Sequence, residues 1–404
     1  QWLLFDMKSN NSIILFWVSP VLGFFSAMKN LAARQSRIAL FLFCLCFGLC
    51  FSVGTQRVEG SADGISMRME FEQSKDISSG QFITYLSDYF KFDTGAQDIY
   101  IVTMSYFVGS VTHNYHFFFL ALAFVFAFFQ MKCLRYFVEE ENFTNSLICI
   151  ILTCLFLWNN IYNINGARFW TASWIGLYCV FKIFYDKKPL YLLLAACIPM
   201  VHASFAVFPV ILVVAYFLKS FRNPLIILFC ISWIFSVVAE DFHILPFGNI
   251  NLPFAISKKV DFYTDQEYIQ SLSQGTGFYW VSLFFKTLVR HYVDFLILLI
   301  ALNEKNINNE KAIPVIRFML ILATIANLGM IIPTFGRRFF AVNYALVAYS
   351  FLVTFGDFKY QKLVYALPFV WFMNLFYLYK DVTAVLDLGF VLSPVFSFIR
   401  YLFV

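Results

Sequence analysis

Apolar residues in this chain fall in long blocks, and short polar segments separate the blocks. A helix that crosses bilayer hydrocarbon needs about 20 mostly apolar residues. Blocks of that kind cover residues 12–28, 38–54, 115–131, 145–161, 169–185, 189–201 with 204–218, 224–238, 278–302, 313–332, 339–355 and 362–380. The stretches 99–112 and 387–404 are apolar but short or interrupted, and fit re-entrant, interfacial or spanning helices alike. The pattern predicts an all-α polytopic membrane protein. It would form a single transmembrane domain over residues 1–404, a helical bundle with about 11–13 spans. The first block, flanked by Asn10, Asn11 and Lys29, reads as a true span and not as a cleavable leader. No internal repeat is evident, which gives an inverted-repeat transporter no support.

The polar segments set the orientation. Lys and Arg collect in cytoplasmic loops. Lys29, Arg34 and Arg37, then Lys132 and Arg135, then Lys182, Lys187 and Lys188, then Lys219 and Arg222, Lys305 and Lys311, and Lys359 and Lys362 alternate so that all can be cytoplasmic. The opposite loops are then external, and two of them are long: 55–98 and 239–277. Both contain aromatics, among them Phe82, Tyr85, Tyr89, Phe254 and Phe262, which predicts partial order. Apolar residues at helical spacing over Gly80–Phe92 suggest a helix lying on the membrane surface. The block 189–218 has basic flanks and two prolines, Pro199 and Pro209. About 30 residues barely suffice for two spans, so a hairpin turning at Pro199–Ser204 fits better, with His202 in irregular backbone that lines a cavity.

Composition agrees with lipid as the solvent: 61% of residues are hydrophobic and 13% charged, half the share of a soluble domain. The formal charge of +5 resides in loops, with no basic stripe suited to nucleic acid. The nine cysteines include no CxxC pair, and Cys44, Cys46 and Cys50 sit among apolar neighbours. They read as core or lipid-facing residues and not as metal ligands. His113 and His116 are three apart, but no third ligand stands near them. Walker A, GxGxxG, GxSxG and HExxH patterns are absent.

Ionisable residues near or within the membrane are costly and mark candidate sites. Asn159, Asn160, Asn163, Asn165 and Gly166 break one helix, and Arg168 opens the next at the outer face. Its guanidinium can bind a phosphate bidentately, aided by the helix N-terminus, or snorkel to headgroups. His202 can take a proton from a hydroxyl, or tie two helices together. Arg337 and Arg338 lie at the outer end of a span, against the basic-inside bias. Lys286, Arg290 and Asp294 share a helix face, with His291 beside it; the stripe must face a polar cavity if that helix spans. Arg57, Glu59 and Asp63, followed by Arg68 and Glu70, lie just outside the second span. A carboxylate there could orient a sugar hydroxyl, or the segment is a solvated loop.

The residues Arg57-x-x-Gly60-x-x-Asp63, Asp98-Ile-Tyr100 leading into Val108–Asn114, Asn165-Gly-Ala-Arg168, His202-Ala-Ser204 and Arg337-Arg338 occur in this order. In this the chain resembles the EpsG-type, Wzy-like bacterial polysaccharide (O-antigen) polymerases over most of residues 38–355. The tyrosine often found shortly after the aspartate in that family is absent. The resemblance implies a GT-C-like glycosyltransferase of the cytoplasmic membrane with its active site facing outward. Its substrates would be undecaprenyl-diphosphate-linked oligosaccharides, joined without a nucleotide sugar, metal or other cofactor, with a chain-length regulator as a further partner. His202, Arg168, Arg337 and Arg338 would be catalytic: the arginines stabilise the leaving diphosphate and His202 is general base, with Asp63 as an alternative base. Asn165, Arg57, Asp63, Arg290 and His291 would bind substrate.

Three other readings compete. An O-antigen ligase would use the same donor but pass it to lipid A core. A flippase for lipid-linked oligosaccharides would spread its cations through the membrane depth, whereas these collect toward one face apart from the 286–294 stripe. A membrane O-acyltransferase would need a donor reached from the cytoplasm, which an external His202 disfavours.

Overall fold

The computed structural model describes residues 11–54, 63–91, 98–239, 279–356, 360–369, 371–372, 382–386 and 388–403, and among them all regular structure is helical. Side chains are described from residue 287 onward in the helix that begins at 279. Three segments are long and apolar enough to cross a membrane: Tyr115–Val138, Leu147–Tyr185 and Ile313–Ile331. The chain is thus a helical membrane protein, built around a continuous apolar core. The outer helices turn Val210, Phe217, Ile231 and Ile234 outward, as suits a lipid surround.

The first apolar block is not a single span. It forms α1 (Ser12–Val18) and α2 (Pro20–Met28), which double back at Ser19–Pro20. Ser12 Oγ lies 3.0 Å from Ser26 Oγ, and a Cβ on Gly23 would come within 2.6 Å of Phe16 Cα. A seven-residue helix is about 10 Å long, too short to cross. Proline, which lacks the N–H a continuous helix needs, makes the break. Next, α3 (Arg34–Cys50) packs on α7 (Tyr115–Val138) through Gly48, whose missing side chain lets it sit against Phe119 and Ala123. Between them lie α4 (Asp63–Ser74), α5 (Ser79–Phe90) and α6 (Tyr100–Gly109). The expected external loop 55–98 is therefore mostly helical where described. A capping box from Ser78 and Gln81 starts α5. The stack of Phe82 on Tyr106, centroids 4.2 Å apart, docks it on α6.

The segment Leu147–Tyr185 would be about 58 Å long as one rod. Instead it doubles back. Cys149, near its start, meets Asn142 and Thr144, and Tyr185, at its end, meets Tyr136 and Tyr349, so both ends lie at one end of the bundle. Its legs are α8 (Leu147–Phe156) and α9 (Ala167–Val180, continued by a π turn to Tyr185). Residues 157–166 form the reversal, with a 3₁₀ turn at Ile161–Gly166. The Asn159 carbonyl accepts from Trp174 Nε1 (2.9 Å) and Gln130 Nε2 (3.1 Å), and Asn160 Oδ1 accepts from the Tyr162 amide (2.9 Å). These bonds satisfy backbone groups that an apolar interior cannot leave bare.

The rest of the bundle follows the apolar blocks. α10 (Tyr191–Cys197) and α11 (Val207–Leu218) make the expected hairpin around His202. Then come α12 (Arg222–Ala239), α13 (Tyr279–Leu302), α14 (Ile313–Leu328) and α15 (Pro333–Thr354). At the end of the bundle that carries the basic loops, buried Glu140 accepts from Tyr349 (2.6 Å) and Asn309 (3.0 Å), and Arg317 pairs with Glu304 (2.6 Å). The long loop 239–277 lies outside the described residues apart from Ala239, as does Arg57.

Trp174→Phe removes one of two donors to the Asn159 carbonyl and is expected to cost about 1 kcal/mol. Adding Gln130→Leu leaves that carbonyl bare, and the pair should lose more than the sum of the singles. Thermal unfolding in detergent measures both.

Candidate functional site

Five segments of the chain meet around a cavity of about 260 Å³. Asp63 and Met67 come from α4, Asn163, Asn165 and Gly166 from the reversal, Arg168, Phe169 and Trp170 from the start of α9, His202 from the hairpin and Arg338 from the start of α15. No side chain caps the N-terminus of α9; the Ala167 amide donates to the Ile164 carbonyl of the preceding turn, and the first residues of α9 line the cavity together with the Arg168 guanidinium. Gly64 permits a close approach of α4 to the reversal: a Cβ there would sit 2.4 Å from Asn165 Oδ1. That oxygen is buried and accepts no hydrogen bond from a described residue.

Phe169 joins the parts. Its ring meets His202 edge-on at 5.3 Å and also contacts Phe205 and Phe339. The Arg338 guanidinium lies 5.5 Å from its centroid, a cation–π contact. Arg338 makes no ion pair or hydrogen bond with any described residue, so its five N–H donors are uncommitted. Arg168 is differently placed. One terminal nitrogen stands 3.4 Å from Asp98 Oδ2, and Asp98 is only 5% exposed. That separation is long for a charge-assisted bond, and most of the Arg168 fork stays available. The amide of Ile99, next to Asp98, donates to the Met200 carbonyl (3.1 Å), which ties this carboxylate to the His202 hairpin.

His202 is held by its own turn. The Ser204 amide donates to Nδ1 at 3.3 Å, and Ser204 Oγ lies 2.7 Å from the same nitrogen. Which ring nitrogen carries the proton depends on the tautomer; in the one protonated at Nε2, both Ser204 groups can donate to Nδ1.

Glu70 sits at the edge of this group. Residues 63, 67 and 70 share one face of α4 by spacing, and the first two line the cavity. Burial pushes the Glu70 carboxyl above its ordinary value, Arg168 pulls it part of the way back, and Asp98 adds to the rise. Tyr85 and Tyr89 of α5 are raised by burial too, with Glu70 and Asp98 adding to the first and Asp98 to the second. The carboxylates, Arg168 and the two phenols therefore share one electrostatic neighbourhood.

The structure brings together Arg168, His202, Arg338, Asn165 and Asp63 from the residues that the sequence marks. Arg337, on the adjacent face of the same helical turn, is exposed and outside the cavity wall. Arg290 and His291 do not line the cavity either. They belong to a second buried cluster on α13, where Trp233 Nε1 donates to His291 Nδ1 (3.0 Å) and Asn327 Nδ2 donates to Asp294 (3.0 Å). Of the two histidines on and before α7, His116 is a core residue, its Nδ1 2.9 Å from the Leu49 carbonyl, and His113 pairs with Asp76 at 3.2 Å. Sequence reasoning missed the parts played by Phe169 and Glu70. The 63–67–70 spacing would have revealed Glu70; nothing local marks Phe169, whose contacts all come from other segments or its neighbour.

Compared with protein-family models, curated proteins and solved structures, the chain matches none.

An alanine in place of a helical glycine ordinarily stabilises, by about 0.5–1 kcal/mol. At Gly64 the sign should reverse, because the new methyl strikes Asn165 Oδ1. Gly54→Ala, outside the helices and with nothing within 4 Å, is the reference for an added methyl without a clash and should leave the melting temperature in place.

Proposed function

We propose that this chain is a membrane glycosyltransferase that joins undecaprenyl-diphosphate-linked oligosaccharide repeat units into a surface polysaccharide, with the cavity facing out of the cytoplasmic membrane and a GT-C-like bundle as its scaffold. The observation that carries this reading is the uncommitted guanidinium of Arg338 in the same cavity as Arg168 and an uncapped helix N-terminus. A guanidinium held over an aromatic ring keeps its N–H donors for a phosphate or diphosphate.

The chemistry follows from where charge develops. As the bond from the anomeric carbon to the diphosphate breaks, the leaving oxygen gains negative charge. Fixed cations and dipoles that already point there lower the barrier without reorganising. Arg338 can offer its full fork, Arg168 the part that Asp98 leaves open, and α9 its N-terminal dipole. Asn165 lines the same cavity, with its Oδ1 turned toward Gly64 and closed to solvent. The polymerase resemblance in the motifs and the meeting of Asp63, Asn165, Arg168, His202 and Arg338 around one cavity both support the reading.

The test is polysaccharide length in a strain lacking the protein, resolved by gel and complemented with wild type or single variants. Wild type should restore the long ladder. Arg338→Ala and Arg168→Ala should each lower polymer output about 100-fold or more at unchanged membrane level. Arg337→Ala should behave as wild type. A normal ladder from Arg338→Ala would refute the assignment, and long carrier-linked polymer that is not transferred in the null strain would identify a ligase instead.

A further inference from the structure

We propose that Trp170 is the sugar platform of this cavity: its indole face carries the sugar joined to the diphosphate, and its Nε1–H donates to one of that sugar's oxygens. The proposal rests on the glycosyl-transfer reading above. The cavity wall divides by chemistry. Arg168 and Arg338 supply positive charge, which suits a diphosphate. A pyranose offers hydroxyl groups at its edge and C–H bonds on its face. That face suits an aromatic ring, whose π surface is negative. Two large aromatic side chains line the cavity, Phe169 and Trp170. The Phe169 ring is already committed to His202, Phe205, Phe339 and Arg338.

The chain seats the indole from two sides. A helical side chain leans back over the residue four places before it. For Trp170 that residue is Gly166, the last of the reversal. A Cβ on Gly166 would lie 2.9 Å from Trp170 Nε1 and 3.0 Å from Cδ1, so the missing side chain makes the seat. Phe169 meets the indole edge-on, with centroids 4.8 Å apart and planes at 88°. Trp170 is half-buried, and its Nε1–H reaches no acceptor among the described residues, although the atom is not sealed from solvent. Two other tryptophans of the bundle use theirs. Trp174 Nε1 donates to the Asn159 carbonyl at 2.9 Å, and Trp233 Nε1 to His291 at 3.0 Å. An indole N–H inside a folded chain ordinarily finds such a partner. The Trp170 N–H, on a cavity wall, is left for a ligand.

Position supports the same assignment. The first sugar of the donor is one bond from the diphosphate, so the group that binds it must stand beside the phosphate site. Trp170 and Arg168 lie in the first turn of α9 and line one cavity. With the diphosphate on Arg168 and Arg338, a sugar laid on Trp170 has its anomeric carbon between the cations and the indole. Trp170 makes and breaks no bond. It is a specificity-determining residue that selects a sugar with one bare ring face and sets where the reacting carbon stands.

The experiment measures the binding of two lipids to the full chain in nanodiscs. One is undecaprenyl diphosphate, and the other is the native lipid-linked oligosaccharide, the only one of the two with a sugar. Wild type, Trp170→Ala, Trp170→Phe and Arg338→Ala are compared at matched protein level. Wild type should bind the oligosaccharide lipid more tightly. Trp170→Ala should weaken that binding about 10-fold and leave undecaprenyl diphosphate unchanged. Trp170→Phe, which keeps a ring face and loses the N–H, should fall between. Arg338→Ala should weaken both lipids. Trp170→Ala that binds both as wild type does, or loses both equally, overturns the platform; the glycosyl-transfer reading stands if Arg338→Ala still weakens both. Trp170→Phe equal to Trp170→Ala overturns the stacking, and Trp170→Phe equal to wild type overturns the N–H contact. Wild type that binds neither lipid, or Arg338→Ala that binds both as wild type does, overturns the reading beneath and the proposal with it.

Discussion

The reversal between α8 and α9 is the constraint on which the site depends. An apolar surround cannot hydrogen-bond an open backbone, so a chain that turns inside a membrane bundle must find every partner within the protein. Here a few side chains supply them. Gln130 and Trp174 converge on the Asn159 carbonyl, and Asn160 caps the turn that follows. Once the turn is anchored, its exit is fixed, and the exit is the start of α9. Asn163, Asn165 and Arg168 then face a single cavity because they follow one another through one tight turn. α4 closes the cavity from the side, at a distance that only glycine at position 64 allows.

The two guanidiniums in this cavity are kept in different states by their neighbours. Arg168 is balanced by Asp98 and sensed by Glu70, so its positive field is partly spent inside the protein. Among the described residues Arg338 meets the face of Phe169, a contact worth about 0.5–2 kcal/mol that uses none of its N–H donors. The same ring contacts His202, so one buried aromatic sets the spacing of a cation and an imidazole that come from different helices.

How much of this was legible in the sequence depends on the kind of signal. The apolar blocks gave the helical membrane class, and Pro199, His202 and Ser204 gave the hairpin, because proline and a polar residue inside a short block leave few alternatives. The site residues Arg168, His202, Arg338, Asn165 and Asp63 stood out as polar groups near a membrane face, where each must have a reason. The 12–28 block misled, because hydropathy cannot distinguish a straight span from a hairpin folded at Ser19–Pro20 with Gly23 seated on Phe16. Arg337 and Arg338 could not be told apart either, since only the helix phase set by packing decides which one reaches the cavity. His202 was legible as a site residue, but its seat against the Ser204 amide and hydroxyl is a feature of the turn and not of residue type.

The measurement that tests this account most directly is a cryo-EM structure of the protein in nanodiscs with undecaprenyl diphosphate. The account predicts diphosphate density in the cavity, in contact with Arg338 and Arg168 and close to the first turn of α9. Density placed elsewhere, for example at the Arg290–His291 cluster of α13, with the Arg338 guanidinium still resting on Phe169, would contradict it.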